Sequence, residues 1–143
     1  MEKGEGMYMQ TTIEPRFSET DALGHINNTV IPAWLEASRN QLFWMFTPNM
    51  SFDDWKLVVV NTNTNFKDEI YFGHDVVIYN WVKKIGNSSL QLYEEIWQND
   101  RLCVDSTVTY VNVDLRTKKT ETIPTHLREQ LMKYLYNEEG VEN

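Results

Sequence analysis

Asp21 is followed four residues later by His25, with Gly24 between them and the pair Asn27-Asn28 just beyond. Residues of these types at this spacing can act on a carbonyl group. A carboxylate either attacks the carbonyl carbon or activates a water to do so. The reaction also needs a group that accepts charge growing on the carbonyl oxygen. The free N–H groups and positive dipole end of a helix N-terminus provide one. A loop that delivers Asp21 to a helix beginning near Asn28 therefore places both functions together. Spacing alone leaves other roles open. Asp21 also fits a loop or capping acid, and His25 fits a brace for the loop as well as a substrate contact. Asn27 and Asn28 suit a turn and a cap, and any catalytic role of Asn28 then belongs to its backbone N–H.

The elements that must position these residues can be read from the pattern. Tyr8–Phe17 is β-prone and reads as a first strand. Ser18–Asn28 is polar and turn-rich, a loop in which Gly24 permits backbone angles that other residues avoid. Thr29–Phe46 is expected to form one long helix, because Ile31, Leu35, Leu42 and Met45 recur at helical spacing. Asn28 is expected as its N-cap and Pro32 in its first turn. Leu57–Asp68, Asp75–Lys84, Ser89–Gln98 and Leu102–Val113 read as strands, with Gly86-Asn87 and Asn99-Asp100 at hairpin turns. Pro124–Tyr136 closes the chain as a short helix, with Leu127, Leu131 and Leu135 on one face. The expected class is α+β: one strand, a long helix, then a four-stranded antiparallel meander, giving a curved sheet of about five strands around the helix.

The chain has 143 residues, 41% hydrophobic and 24% charged, which fits a single domain with its core over about 8–136. Met1–Gly6 and Asn137–Asn143 read as loose ends. Aromatics make up 13% of the chain, so large rings must fill a core or an interface. The lone Cys103 excludes an intramolecular disulfide and any multi-cysteine metal site. No apolar run reaches the ~20 residues needed to span a bilayer. Met1–Gln10 lacks the apolar segment of a secretory signal, so no membrane association and a cytoplasmic location are expected. The net charge of −8 argues against nucleic acid as a partner. A small sheet with one main helix leaves edges uncovered, so a homodimer or a dimer of dimers is expected.

Arg16-Phe17-Ser18-Glu19-Thr20-Asp21-Ala22-Leu23-Gly24-His25-Ile26-Asn27-Asn28 resembles the signature of hotdog-fold acyl-CoA thioesterases of the 4-hydroxybenzoyl-CoA thioesterase type. Trp34-Leu35-Glu36-Ala37-Ser38-Arg39 is similar to the start of that family's central helix. Tyr71-Phe72-Gly73-His74-Asp75, Gly86-Asn87-Ser88-Ser89-Leu90, Val111-Asn112-Val113-Asp114 and Ile123-Pro124 match further landmarks. The resemblance covers about Tyr8 to Leu135. It implies a hotdog fold and hydrolysis of acyl-CoA without metal or cofactor, coenzyme A being part of the substrate. It further implies Asp21 as the catalytic carboxylate and the Asn28 backbone amide as the carbonyl polariser. The two sites of a dimer would lie across its interface, each using the loop and helix of one subunit and strand residues of the other. Plant acyl-carrier-protein thioesterases carry a similar run in which Asp and His are linked to catalysis, with Asn where this chain has Leu23.

Gly24, Asn27, Glu36, Lys84, Ser88 and Ser89 are the candidate substrate-binding residues. Glu36 either orients substrate at the mouth of the site or forms an ordinary helix-surface ion pair with Arg39. Lys83-Lys84 and Arg116 with Lys118-Lys119 are candidates for coenzyme A phosphates, or solvated strand ends and turns. Ser88 and Ser89 either bond the pantetheine arm or finish a hairpin. Two other functions stay open: a thioesterase for acyl groups on acyl carrier protein, and a non-catalytic acyl-binding protein of the same fold.

Overall fold

The structure is a computed structural model that describes residues 7–137. Met1–Gly6 lies outside the described residues, as does all of Asn137–Asn143 except Asn137. The sheet consists of β1 (Met9–Ile13), β2 (Leu57–Phe66), β3 (Val76–Ile85), β4 (Ser89–Gln98), β5 (Arg101–Asp114) and the short β6 (Lys119–Thr120). Its helices are α1 (Ile31–Ala37), α2 (Asn40–Phe46) and α3 (Thr125–Met132). The antiparallel sheet curls around α1 and α2, the hotdog arrangement that the sequence predicts. No helix among the described residues is long and apolar enough to cross a membrane.

Strand order departs from the expected meander. It runs β1-β3-β4-β5-β2, with β6 also on β5. β2 cannot pair with β3, because β1 already occupies that side in the register Met9↔Asn80 to Ile13↔Val76. It pairs instead with the free side of β5, from Leu57↔Asn112 to Phe66↔Val104. β2 is thereby left as an edge strand.

The expected single helix is divided. A 3-10 turn, Asn28–Val30, leads into α1, and the chain leaves helical geometry at Arg39 (φ −95°, ψ 7°) before α2 begins. Ser38 draws its hydroxyl back onto the Leu35 carbonyl. Arg39 is then free to turn into the interior, where its Nη2 and Nε donate to Glu94 of β4 at 2.7 and 2.8 Å. Its Nη1 reaches the Tyr110 hydroxyl at 3.1 Å. Helical periodicity hid this break because Ile31, Leu35 and Leu42 are buried on both sides of it. The Glu36–Arg39 surface pair, one of the two readings of Glu36, does not form, since Arg39 is committed to Glu94.

Glu94 sits in a polar row that crosses the inner face of the sheet. Asn80, Glu94, Ser106 and Thr64 are cross-strand partners on β3, β4, β5 and β2. Asn80 Nδ2 donates to Glu94 at 2.6 Å and to Ser38 at 3.0 Å, and the Ser106 and Thr64 hydroxyls lie 3.2 Å apart. The row divides the interior. On one side Ile26, Ile31, Trp34 and Leu35 pack on Val76, Ile78, Ile96 and Val104. On the other, Leu42, Phe43 and Phe46 pack with Leu90, Leu92, Val108 and the α3 residues Leu127 and Leu131. Of the remaining rings, Tyr8, Tyr79, Trp81, Tyr93 and Tyr136 pack together on the outer face, with centroids 4.6 to 6.1 Å apart.

A buried ion pair that loses one partner leaves an uncompensated charge. Arg39→Met should therefore destabilise the fold by about 3–5 kcal/mol, and Arg39→Met with Glu94→Leu by much less. Urea unfolding of the two variants beside the wild type checks this.

Candidate active site

The loop that carries Asp21 closes on itself. Thr20 and Ile26 form an antiparallel bridge, and the Asp21 N–H donates to the His25 carbonyl at 2.7 Å. Gly24 takes φ +82° at the tip, with nothing within 4 Å of where a Cβ would stand, so the backbone angle and not crowding demands glycine. Asp21 Oδ1 accepts the Leu23 and His25 N–H groups at 2.8 and 3.1 Å. Oδ2 has no hydrogen-bond partner among the described residues, and the side chain is exposed. The carboxylate is thus both a loop acid and an oriented group with one oxygen free.

Asn27, not Asn28, is the cap. Its Oδ1 accepts the Thr29 N–H and hydroxyl, each at 3.0 Å, because Asn27 holds the extended backbone of an N-cap (φ −64°, ψ 132°). Asn28 is the first residue of the 3-10 turn, and its N–H meets no acceptor among the described residues. Its side chain is exposed and lines a cleft of about 280 Å³ with Phe66, Lys67, Asp68 and Glu69. A larger cleft of about 460 Å³, between α2 and α3, contains none of the expected site residues.

His25 braces the loop against the segment after β2. Its Nδ1 lies 3.3 Å from a Glu69 carboxylate oxygen, and its ring meets Tyr71 edge-on at 5.0 Å. His25 and Tyr71 also share a backbone bridge, and the Ile26 N–H donates to the Ile70 carbonyl at 2.8 Å. Buried Gln98 fixes this segment by bonding the Tyr71 backbone on both sides and the His74 carbonyl, at 2.8 to 2.9 Å. Neither Glu69 nor Gln98 carries a signal in the sequence, since each acts on residues more than twenty positions away.

Glu19 is the other residue that sequence reading passed over. It is buried, and its carboxylate accepts the Arg16 N–H at 2.7 Å, the Trp34 indole N–H at 2.9 Å and the Arg16 guanidinium at 3.3 Å. Burial alone would raise its pKa, but these donors outweigh it and hold the group below the usual carboxylate range. The pattern Arg16 to Glu19, with Glu at the third position of a turn, is the local signal that could have found it.

The remaining candidates are dispersed within one chain. Glu36 is exposed on α1, near enough to Tyr110 to act on it electrostatically. Lys84, Ser88 and Ser89 lie at the β3–β4 hairpin, the end of the sheet packed under α2 and α3, whereas the Asp21 loop packs at the Val76 end. Lys84 and Ser89 line a shallow hollow with Gln91 and Thr109. Arg116 sits 3.5 Å from Asp54. The fold therefore brings together Asp21, Gly24, His25, Asn27 and Asn28, and does not bring Lys84, Ser88 and Ser89 to them.

Several proteins that this chain resembles are named as thioesterases. A profile of the Thioesterase-like superfamily matches residues 15–131. The long-chain acyl-CoA thioesterase FadM of Escherichia coli is 28% identical over 132 residues, which cover 86% of this chain and 96% of that one. A predicted thioesterase from Bacillus stearothermophilus superposes with a TM-score of 0.88 at 40% identity, covering 92% of this chain and 98% of that one. A Thermus thermophilus thioesterase complexed with coenzyme A and Zn shares the fold, with a TM-score of 0.76 at 22% identity over 85% of this chain and 95% of that one. The chain belongs to the Thioesterase-like superfamily and is a thioester hydrolase built on the hotdog fold.

Proposed function

We propose that this chain hydrolyses acyl-CoA thioesters to the free acid and coenzyme A, with Asp21 as nucleophile or general base and the Asn28 N–H polarising the carbonyl. The observation that carries this reading is a pairing within one loop-and-helix unit. Asp21 is exposed and held by its own loop, and among the described residues its Oδ2 has no hydrogen-bond partner and the Asn28 N–H has no acceptor. Asp21 or a water that it activates adds to the carbonyl carbon, the oxygen takes the charge, and collapse breaks the C–S bond and releases the thiolate. If Asp21 adds directly, water then hydrolyses the acyl-aspartyl anhydride. A thiolate is a good leaving group, so the reading asks for no metal and no cofactor beyond the coenzyme A of the substrate. The 28% identity to a long-chain acyl-CoA thioesterase supports an acyl-CoA substrate and makes long chains the first to test. A cytoplasmic setting belongs to this reading, because the single buried Cys103 needs no oxidising compartment.

The active form in this proposal is a homodimer or a dimer of dimers. β2 is a ten-residue edge strand, and Val58, Val59, Val60 and Phe66 are 39 to 57% exposed along it. An open apolar edge of that length recruits another strand unless something covers it. A second copy would cover it beside the Asn28 cleft, which includes Phe66.

Free-thiol release from a panel of aliphatic and aromatic acyl-CoAs should show turnover by the wild type. Asp21→Asn should lower kcat by roughly 100-fold or more, the size of loss expected for a positioned acid–base or nucleophilic group. Unchanged turnover in Asp21→Asn would remove this carboxylate from the mechanism. By light scattering the wild type should be a dimer or larger, and Val58→Lys with Val60→Lys should shift it towards monomer. A monomeric wild type would refute the assembly.

A further inference from the structure

We infer that Glu19 is a positioning residue for catalysis, whose carboxylate fixes the Asp21 loop to α1 and so sets Asp21 against the Asn28 N–H. The inference rests on the roles given above to Asp21 and Asn28. Those two groups must keep a fixed separation and orientation for one to work on a carbonyl carbon while the other holds its oxygen. Both are exposed. Between Phe17 and Val30 only Glu19 and Ile26 are buried, so the geometry of the whole segment depends on few anchors.

Glu19 anchors three pieces at once. Through Oε1 it accepts the Arg16 N–H, where the loop begins. Through Oε2 it accepts the indole N–H of Trp34, a buried residue of α1 six positions beyond Asn28. Through its own carbonyl it accepts the Asn27 N–H at 2.9 Å, next to the proposed polarising amide. Asp21 follows two residues later, beyond the Thr20–Ile26 bridge. Glu19 thus ties the start of the segment, α1 and the residue next to Asn28 to one buried point, while the Asp21–His25 bonds close the loop tip.

The choice of a carboxylate is itself informative. Burying a charge is costly, and an apolar side chain would anchor the loop without that cost. A carboxylate adds direction, because accepted hydrogen bonds hold angle as well as distance. Closing the turn Phe17–Glu19 accounts for the Arg16 bonds alone. The Trp34 bond reaches across fifteen residues to another element and has no part in closing that turn.

The test compares Glu19→Gln, Trp34→Phe and the double variant with the wild type, using an acyl-CoA that the wild type hydrolyses. Trp34→Phe keeps a buried aromatic ring and removes the N–H donor together with part of the ring volume, so, read per folded molecule, it remains informative if Glu19→Gln folds poorly. Each single variant should lose about 10- to 100-fold in kcat per folded molecule, with KM within about 3-fold, as for a reacting group displaced by a fraction of an ångström. The double variant should lose no more than the worse single, because both break one connection. The indole N–H proton resonance of Trp34, assigned by its loss in Trp34→Phe, should move in Glu19→Gln. Wild-type kcat in either single variant, or additive losses, would overturn the inference. So would a loss accounted for by a smaller folded fraction. If the wild type hydrolyses no member of the panel, the proposed function fails and this inference with it. If the wild type is active and Asp21→Asn is not, failure of the Glu19 variants to affect kcat overturns this inference alone.

Discussion

Arg39 and Glu94 form an ion pair inside a 143-residue protein, and much of the architecture follows from accommodating it. Such a pair is tolerated only when desolvation is offset by close geometry and further hydrogen bonds. Here the guanidinium makes a two-bond fork on the carboxylate and a third bond to Tyr110, and Asn80 adds a donor to the same carboxylate. The helix is interrupted at Arg39, the residue that carries this fork. The polar row then runs on across the sheet through Ser106 to Thr64, and the apolar interior falls into two parts. One part seats α1 and the Asp21 loop. The other joins α2 and α3 to the far end of the sheet. Replacing the pair with apolar residues of similar size would remove the desolvation cost, and with it the hydrogen bonds that tie the segment between α1 and α2 to β4.

How much of this was legible in the sequence depended on how local each cause was. The bounds of β4 were read as they stand, because Ser89–Gln98 is a continuous β-prone run between two turn signals. The loop tip was legible at Gly24, and its φ of +82° bears out the need for glycine. Helical periodicity located Ile31, Leu35 and Leu42 correctly and missed the break, since buried positions continue at helical spacing across it and the partner of Arg39 lies on β4, 55 positions away. The meander was wrong for a similar reason. Nothing within β2 says that β1 has taken the side of β3, and pairing with β5 depends on that.

Within the site the same division holds. Asp21, Gly24 and the helix start near Asn28 follow from residue types in one short segment. The exchange of capping roles between Asn27 and Asn28 turns on one residue of register, at which propensity is silent because asparagine caps well at either position. Glu19 was hidden by chemistry. A glutamate in a polar loop reads as solvated, and only the structure shows the Trp34 indole facing it.

The dispersal of Lys84, Ser88 and Ser89 is better understood through symmetry than as a failed expectation. In one chain they lie at the hairpin end of the sheet, while Asp21 and Asn28 lie at the end where Phe66 pairs with Val104. In the proposed dimer, two β2 edges related by a two-fold axis normal to the sheet would run antiparallel, as an isologous contact of this kind requires. The Leu57 end of one strand would then lie beside the Phe66 end of the other. Leu57 pairs with Asn112, whose N–H is held by the Ser88 carbonyl, so the hairpin of the second copy is carried towards the Asp21 end of the first. An arrangement of this kind would let the reacting thioester rest on one chain while the groups that grip its carrier come from the other. Catalysis would then depend on assembly.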